Sequence, residues 1–161
     1  MSCTYVVDMG SGTSRRKKMS SLTLMEKMPR ILLADDQQEI LQAVSSLLRD
    51  ECEIVGLAQN GEQVLQLAEK RSPDLLVLDI SMPALSGFDV ALRLKESESV
   101  TKILFLTVHD DPDLVNAAIS MGALGYVLKA HLITELMPAI RSVLSDHLYV
   151  SPQLVSCLSR S

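Results

Sequence analysis

The sequence has no tryptophan, and only two phenylalanines and three tyrosines among 161 residues. Its core therefore has to be aliphatic, made of Leu, Val, Ile, Ala and Met, which suits a parallel sheet covered by helices. No apolar run reaches the roughly 18 residues that a membrane span requires. The first basic run follows the short N-terminal apolar stretch instead of preceding it, so there is no signal-peptide pattern. Cysteine is scarce as well. Cys3, Cys52 and Cys157 are far apart, odd in number and without metal-ligand spacing. Free thiols in a reducing cytoplasm are the expectation. Positive charge is scarce over most of the chain. Of the net −5, residues 1–29 contribute +3, with Arg15, Arg16, Lys17, Lys18 and Lys27 set against Asp8 and Glu26, so the remainder carries −8. An acidic domain is a poor candidate for direct DNA binding, because neutralising phosphates needs clustered Lys and Arg.

What is present is a hydrophobic fraction of 47%, which excludes a disordered chain and supplies one domain with a real core. Residues 1–28 read as a flexible tail, with Gly10-Ser11-Gly12-Thr13-Ser14 and the solvated basic run Arg15–Lys18. Gly10 and Gly12 are not a phosphate loop, since no strand precedes them. Met25 and Met28 leave room for an alternative translation start.

From Arg30 onward, strand and helix signals alternate. Ile31–Ala34 reads as a strand. Ile40, Leu41, Val44, Leu47 and Leu48 form a helical stripe across 37–49. Cys52–Ala58 is β-branched, Asn60 is placed to cap the next helix, and Val64, Leu65 and Ala68 form its apolar face. Pro73 separates that helix from a strand at Leu75–Leu78. Phe88, Val90, Ala91 and Leu94 begin a third helix, followed by a strand at Ile103–Leu106. Asp111-Pro112 is a strong helix start, and Gly122 is placed to end that helix. Tyr126–Leu128 is the fifth strand, and a helix over about 132–144 follows, in which Pro138 should kink the axis or delay the start. Five strands and five helices in strict alternation predict an α/β fold: a five-stranded parallel sheet with right-handed crossovers and helices on both faces.

Five polar residues close these apolar runs: Asp35 and Asp36, Asp79, Thr107 and Lys129. Singly, each is ordinary: a turn, a cap, a structural threonine, a solvated lysine. On a parallel sheet, however, the carboxyl ends of the strands share the edge where open α/β folds bind ligands. Three carboxylates and one ammonium there sum to −2, and the crowding would raise carboxyl pKa values strongly unless a cation entered. A divalent metal brings the sum to zero, and all-oxygen ligands with open positions favour Mg²⁺. A hydroxyl and a point charge are what a phosphate needs besides. The pocket is built to hold a phosphoryl group beside Mg²⁺.

The sequence here resembles the receiver domains of two-component response regulators. The residues that carry the likeness are Asp35-Asp36, then Asp79 followed by Ile80-Ser81-Met82-Pro83 and Gly87, then Thr107, then Lys129 after Gly125-Tyr126-Val127-Leu128. The likeness covers about residues 29–145, between the tail and a linker-like segment 146–161. It implies a flavodoxin/CheY-like sheet of order 2-1-3-4-5. It implies that Asp79 is the phosphoacceptor for a sensor histidine kinase, that Asp35, Asp36, Asp79 and the backbone carbonyl of Ser81 ligate Mg²⁺, and that Lys129 pairs with phosphoryl oxygens. It also implies that Thr107 and Tyr126 are a switch pair, Tyr126 turning inward as Thr107 is drawn to the phosphoryl group, with slow self-dephosphorylation as the reset. Phosphorylation-dependent homodimerisation is a further implication. Ala130 stands where many receivers have proline, so an altered loop geometry is expected there, without loss of function. Ser81 and His109 occupy positions that tune access of the hydrolytic water in the family. An aspartyl-phosphate hydrolase would have a second Asp where Ser81 stands. Tyr149-Val150-Ser151-Pro152 resembles the stretch that joins a receiver to a helix-turn-helix domain in NarL/FixJ-type transcription factors, and the chain stops at Ser161, before such a domain could fit. Transcriptional regulation through a domain absent from this chain is thus the expectation. The alternatives are a stand-alone receiver acting through protein contacts, and a pseudo-receiver that takes no phosphate.

Overall fold

The computed structural model describes residues 28–158. The expected tail up to residue 27, with its basic run and the candidate start at Met25, lies outside the described residues. In chain order the elements are β1 (Arg30–Ala34), α1 (Gln38–Leu48), β2 (Glu53–Ala58), α2 (Gly61–Arg71), β3 (Leu75–Leu78), α3 (Gly87–Glu96), β4 (Lys102–Thr107), α4 (Pro112–Ser120), β5 (Gly125–Leu128), a 3₁₀ turn (Lys129–His131), α5 (Leu132–Leu144), β6 (Tyr149–Val150) and α6 (Pro152–Leu158). The sheet is parallel throughout, in the order β2-β1-β3-β4-β5-β6.

Strand alternation divides the core in two. Leu32, Ala34, Leu76, Leu78 and Phe105 face α2, α3, α4 and α6, meeting Val64, Val90, Val115, Ala118 and Leu154. Ile31, Leu33, Leu75, Val77 and Leu104 face α1 and α5, meeting Leu41, Val44, Leu136, Ile140 and Val143. The inner strands are buried on both faces, which is why they read as unbroken aliphatic runs.

The helix starts follow their caps. Asn60 Oδ1 accepts from the Gln63 N–H, and Asp111 Oδ1 accepts from the Asp113 N–H ahead of Pro112. Gly122, at φ +96°, follows the last turn of α4. At α3 a capping box joins Ser86 and Asp89; its sequence signal is the Ser-x-x-acid pattern just ahead of the apolar stripe. Pro138 sits inside α5 without delaying its start at Leu132. Without an N–H, Pro138 cannot make the helical bond to the Thr134 carbonyl.

Two features differ from the expected architecture. The sheet has a sixth strand, because Tyr149 and Val150 pair with Gly125 and Tyr126. A sixth helix follows, and the segment 146–161, expected to be linker-like, therefore carries regular structure packed on the domain as far as Leu158. Isolated Tyr-Val is too short to read as a strand, and only the open edge of β5 makes it one.

Candidate functional site

Sheet register builds the site. The β1–β3 ladder continues one residue past its strands, with the Asp79 N–H donating to the Ala34 carbonyl at 3.0 Å, and on the other side of β1 the Asp35 N–H donates to the Ala58 carbonyl at 3.0 Å. These bonds fix Asp35 and Asp79 side by side at the carboxyl edge. Thr107 ends β4 opposite Leu128, so Lys129 leaves β5 at the same level. Carboxylate oxygens of Asp35, Asp36 and Asp79 lie within 4.8 Å of one another. Asp35 and Asp79 are buried and Asp36 is exposed, which leaves the cluster open to solvent on one side.

Each buried carboxylate is held on both oxygens. Asp35 Oδ1 accepts from the Gln37 N–H at 2.9 Å, and Oδ2 pairs with Lys129 Nζ at 2.6 Å. Asp79 Oδ1 accepts from the Ser81 N–H at 3.4 Å, and Oδ2 pairs with Lys129 Nζ at 3.3 Å. Burial raises the Asp79 carboxyl above its ordinary value; Lys129 opposes the rise and Asp35 adds to it. Burial works to lower the Lys129 ammonium, but its bond to Asp35 and the charges of Asp79 and Asp35 outweigh that and hold it above its ordinary value. The ammonium is thus the countercharge within the site, and three carboxylates against one cation leave a deficit that only a further cation removes. The donor set is all oxygen and partly solvent-facing, which fits a hard divalent ion that keeps waters.

Gly87 shapes the loop after Asp79. Its N–H donates to the Ile80 carbonyl at 2.7 Å, and a Cβ there would strike the Asp79 carbonyl oxygen and come within 2.9 Å of Ile80 Cα. Helix α3 can approach the Asp79 backbone this closely only with glycine at its first position.

The second half of the site converges on His109. Its N–H donates to Thr107 Oγ1 at 3.3 Å, its carbonyl accepts from the Tyr126 hydroxyl at 2.7 Å, and its ring Nε2 lies 2.7 Å from Ser81 Oγ. One residue therefore touches the loop after Asp79, the threonine and the tyrosine. The sequence placed His109 beside the site but contained no sign of this junction, since two of its three contacts use main-chain atoms that every residue has. Tyr126 is 1% exposed and Thr107 is fully buried. Tyr126, expected to turn inward on phosphorylation, already lies inward, against Phe105. Its phenol is held above its ordinary value by burial and then by the charges of Asp111 and Asp110. Lys129 and Ala130 enter the 3₁₀ turn, the local form taken by the loop without proline.

Among the described residues no helix is long and apolar enough to cross a membrane. The response regulator receiver domain family matches residues 31–141. The chain is 38% identical over 133 residues to the transcriptional regulatory protein DesR of Bacillus subtilis, covering 81% of this chain and 66% of the relative. It is 30% identical over 134 residues to the response regulator GacA of Pseudomonas aeruginosa, covering 82% of this chain and 63% of the relative. The chain thus spans about two thirds of the length of these curated relatives. In structure it is similar to a two-component response regulator of the LuxR family from Aurantimonas sp. SI85-9A1, with a TM-score of 0.79 and 25% identity over 83% of this chain and 97% of that one.

Proposed function

Because this chain belongs to the response regulator receiver domain family, we propose that it is a phosphorylation-driven switch in which Asp79 accepts a phosphoryl group from a sensor histidine kinase. A carboxylate oxygen of Asp79 attacks the phosphorus of a phosphohistidine. The P–N bond breaks, and its electron pair stays on the imidazole nitrogen. Asp35, Asp36 and Asp79, with the backbone carbonyl of Ser81, would hold Mg²⁺, which when bound supplies positive charge to the phosphoryl oxygens. Lys129 supplies the second cation. It already lies against both buried aspartates, and a phosphoryl group on Asp79 would draw it from carboxylate to phosphoryl oxygen. Because burial raises the Asp79 pKa, the nucleophile is most available when a metal beside it favours its charged form.

Thr107 and Tyr126 carry the response. The Thr107 hydroxyl, now accepting from His109, would turn to the phosphoryl oxygens. That change reaches Tyr126 through the same residue, since the Tyr126 hydroxyl is bonded to the His109 carbonyl. Two states that differ in these contacts are all a population shift needs. The output we propose is control of transcription from the cytoplasm, with phosphorylation-dependent pairing of two copies. The names of the relatives, a transcriptional regulatory protein among them, support the transcriptional part of this reading.

The observation that carries the proposal is the joint contact of Lys129 Nζ with Asp35 and Asp79 at the mouth of a three-carboxylate cluster. The test is labelling by acetyl phosphate with Mg²⁺, read by intact mass. Wild type should gain one phosphoryl group and Asp79→Asn none. Equal gain by both would remove Asp79 as the acceptor, and no gain by wild type would leave the pseudo-receiver.

A further inference from the structure

The C-terminal segment is fastened to strand β5 at the residues that serve the switch. The Tyr149 N–H donates to the Leu124 carbonyl and the Ser151 N–H to the Tyr126 carbonyl, both at 2.9 Å. Pro152 ends the strand, and the Ser151 hydroxyl takes over from the main chain. It accepts from the Leu128 N–H at 3.0 Å and donates to Glu135 Oε1 at 2.6 Å. Ser151 is fully buried and Glu135 nearly so. A buried carboxylate is costly unless bonded, and the Ser151 hydroxyl gives Glu135 that bond. Leu128, at the centre of this clasp, immediately precedes Lys129. Beyond it, Leu154 of α6 enters the same core cluster as Tyr126, Val115 and Ala118.

We propose that residues 149–158 are a working part of the switch, with Ser151, gripped by Glu135, coupling the docking of α6 to the inward position of Tyr126. The reasoning is linkage. With α6 docked, Tyr126 is inside and bonded to His109. A phosphoryl group, by recruiting Thr107, favours that same inward position. Two events that favour one state must favour each other. Phosphorylation therefore tightens α6 on the domain, and a docked α6 in turn favours phosphorylation. Ser151 is a positioning residue here, acting through the β5 backbone without touching the reacting atoms. The inference rests on the reading of Asp79 as phosphoacceptor.

Hydrogen exchange by mass spectrometry on the full chain tests it, with and without acetyl phosphate and Mg²⁺, alongside intact-mass labelling of the same samples. In wild type, amides of 149–156 should exchange about fivefold more slowly after phosphorylation, at the lower end of usual coupling. In Ser151→Ala, Asp79 should still take label while that slowing is lost. Label on wild-type Asp79 with unchanged or faster exchange at 149–156 overturns this inference alone, as does a full response in Ser151→Ala. Absence of label defeats the reading of Asp79, and this inference with it. The wild-type comparison decides the matter by itself should Ser151→Ala fail to fold.

Discussion

Tyr126 is tethered to His109, its buried hydroxyl donating to that residue's main-chain carbonyl at 2.7 Å. The bond joins the middle of β5 to the loop that leaves β4. Removing the hydroxyl alone should leave the ring packed against Phe105 and the carbonyl without its donor. We expect Tyr126→Phe to lose about 1 kcal/mol of stability, the usual net worth of such a bond, and to take label at Asp79 as readily as wild type. Chemical denaturation and intact mass check the two halves. A variant that folds stably but takes no label would place Tyr126 in the chemistry and not in the response.

Asp79 should be a cost to the metal-free fold. Its carboxyl is raised by burial, so the folded protein keeps that proton to higher pH than the unfolded chain does. The stability this gives is complete below the ordinary carboxyl value of about 4 and is lost as pH rises through the raised value. Metal-free wild type should therefore fall behind Asp79→Asn as pH rises toward neutrality. At pH 7 the variant should melt a few degrees higher, the equivalent of about 1 kcal/mol. Saturating Mg²⁺ should narrow or reverse the order, because the ion stabilises the form that binds it. Melting curves across pH, with and without Mg²⁺, decide this. A wild type that melts above the variant at pH 7 without metal would contradict it.

Asp36 is the exposed member of the cluster, so its removal tests metal binding with little effect on folding. Asp36→Ala should change metal-free stability by no more than about 0.5 kcal/mol, as exposed substitutions do. Its Mg²⁺ affinity should fall by at least the roughly tenfold that loss of an outer-shell partner costs. Isothermal titration reads the affinity directly, and an unchanged value would take Asp36 out of the ligand set.

Gly87→Ala is the sharpest probe of the loop. A methyl group there meets main-chain atoms of Asp79 and Ile80 that cannot swing aside. The variant should lose about 1–3 kcal/mol, the range for overpacking, and its rate of labelling should drop because the strain falls on the acceptor's own peptide. Stability lost with the labelling rate intact would mean that α3 yields and the Asp79 loop does not.

The strand ends were legible because a buried parallel strand announces itself twice, as an unbroken aliphatic run and as a polar residue where the run stops. Leu75–Leu78 is found as read, and Ile103–Leu106 needs only Lys102 and Thr107 added to its ends. Asp35, Asp36, Asp79 and Lys129 meet as their positions foretold, since register alone brings them together. The contacts of His109 were not legible, because main-chain atoms carry no sequence signature. Ser151 and Glu135 lie sixteen residues apart on elements of different type, and nothing local marks either as the other's partner. The strand at Tyr149–Val150 exists only because β5 offers it an edge.

That edge has a consequence for how the chain can be shortened. The Leu124 carbonyl, the Tyr126 carbonyl and the Leu128 N–H are all satisfied by Tyr149 and Ser151. A version trimmed at residue 145, where the expected domain ends, would leave them bare along a strand of four buried residues, Gly125–Leu128. Unpaired apolar edges template association with other chains. The trimmed protein would self-associate through β5 for reasons unrelated to signalling, and a dimer seen with it would report the cut and not the switch.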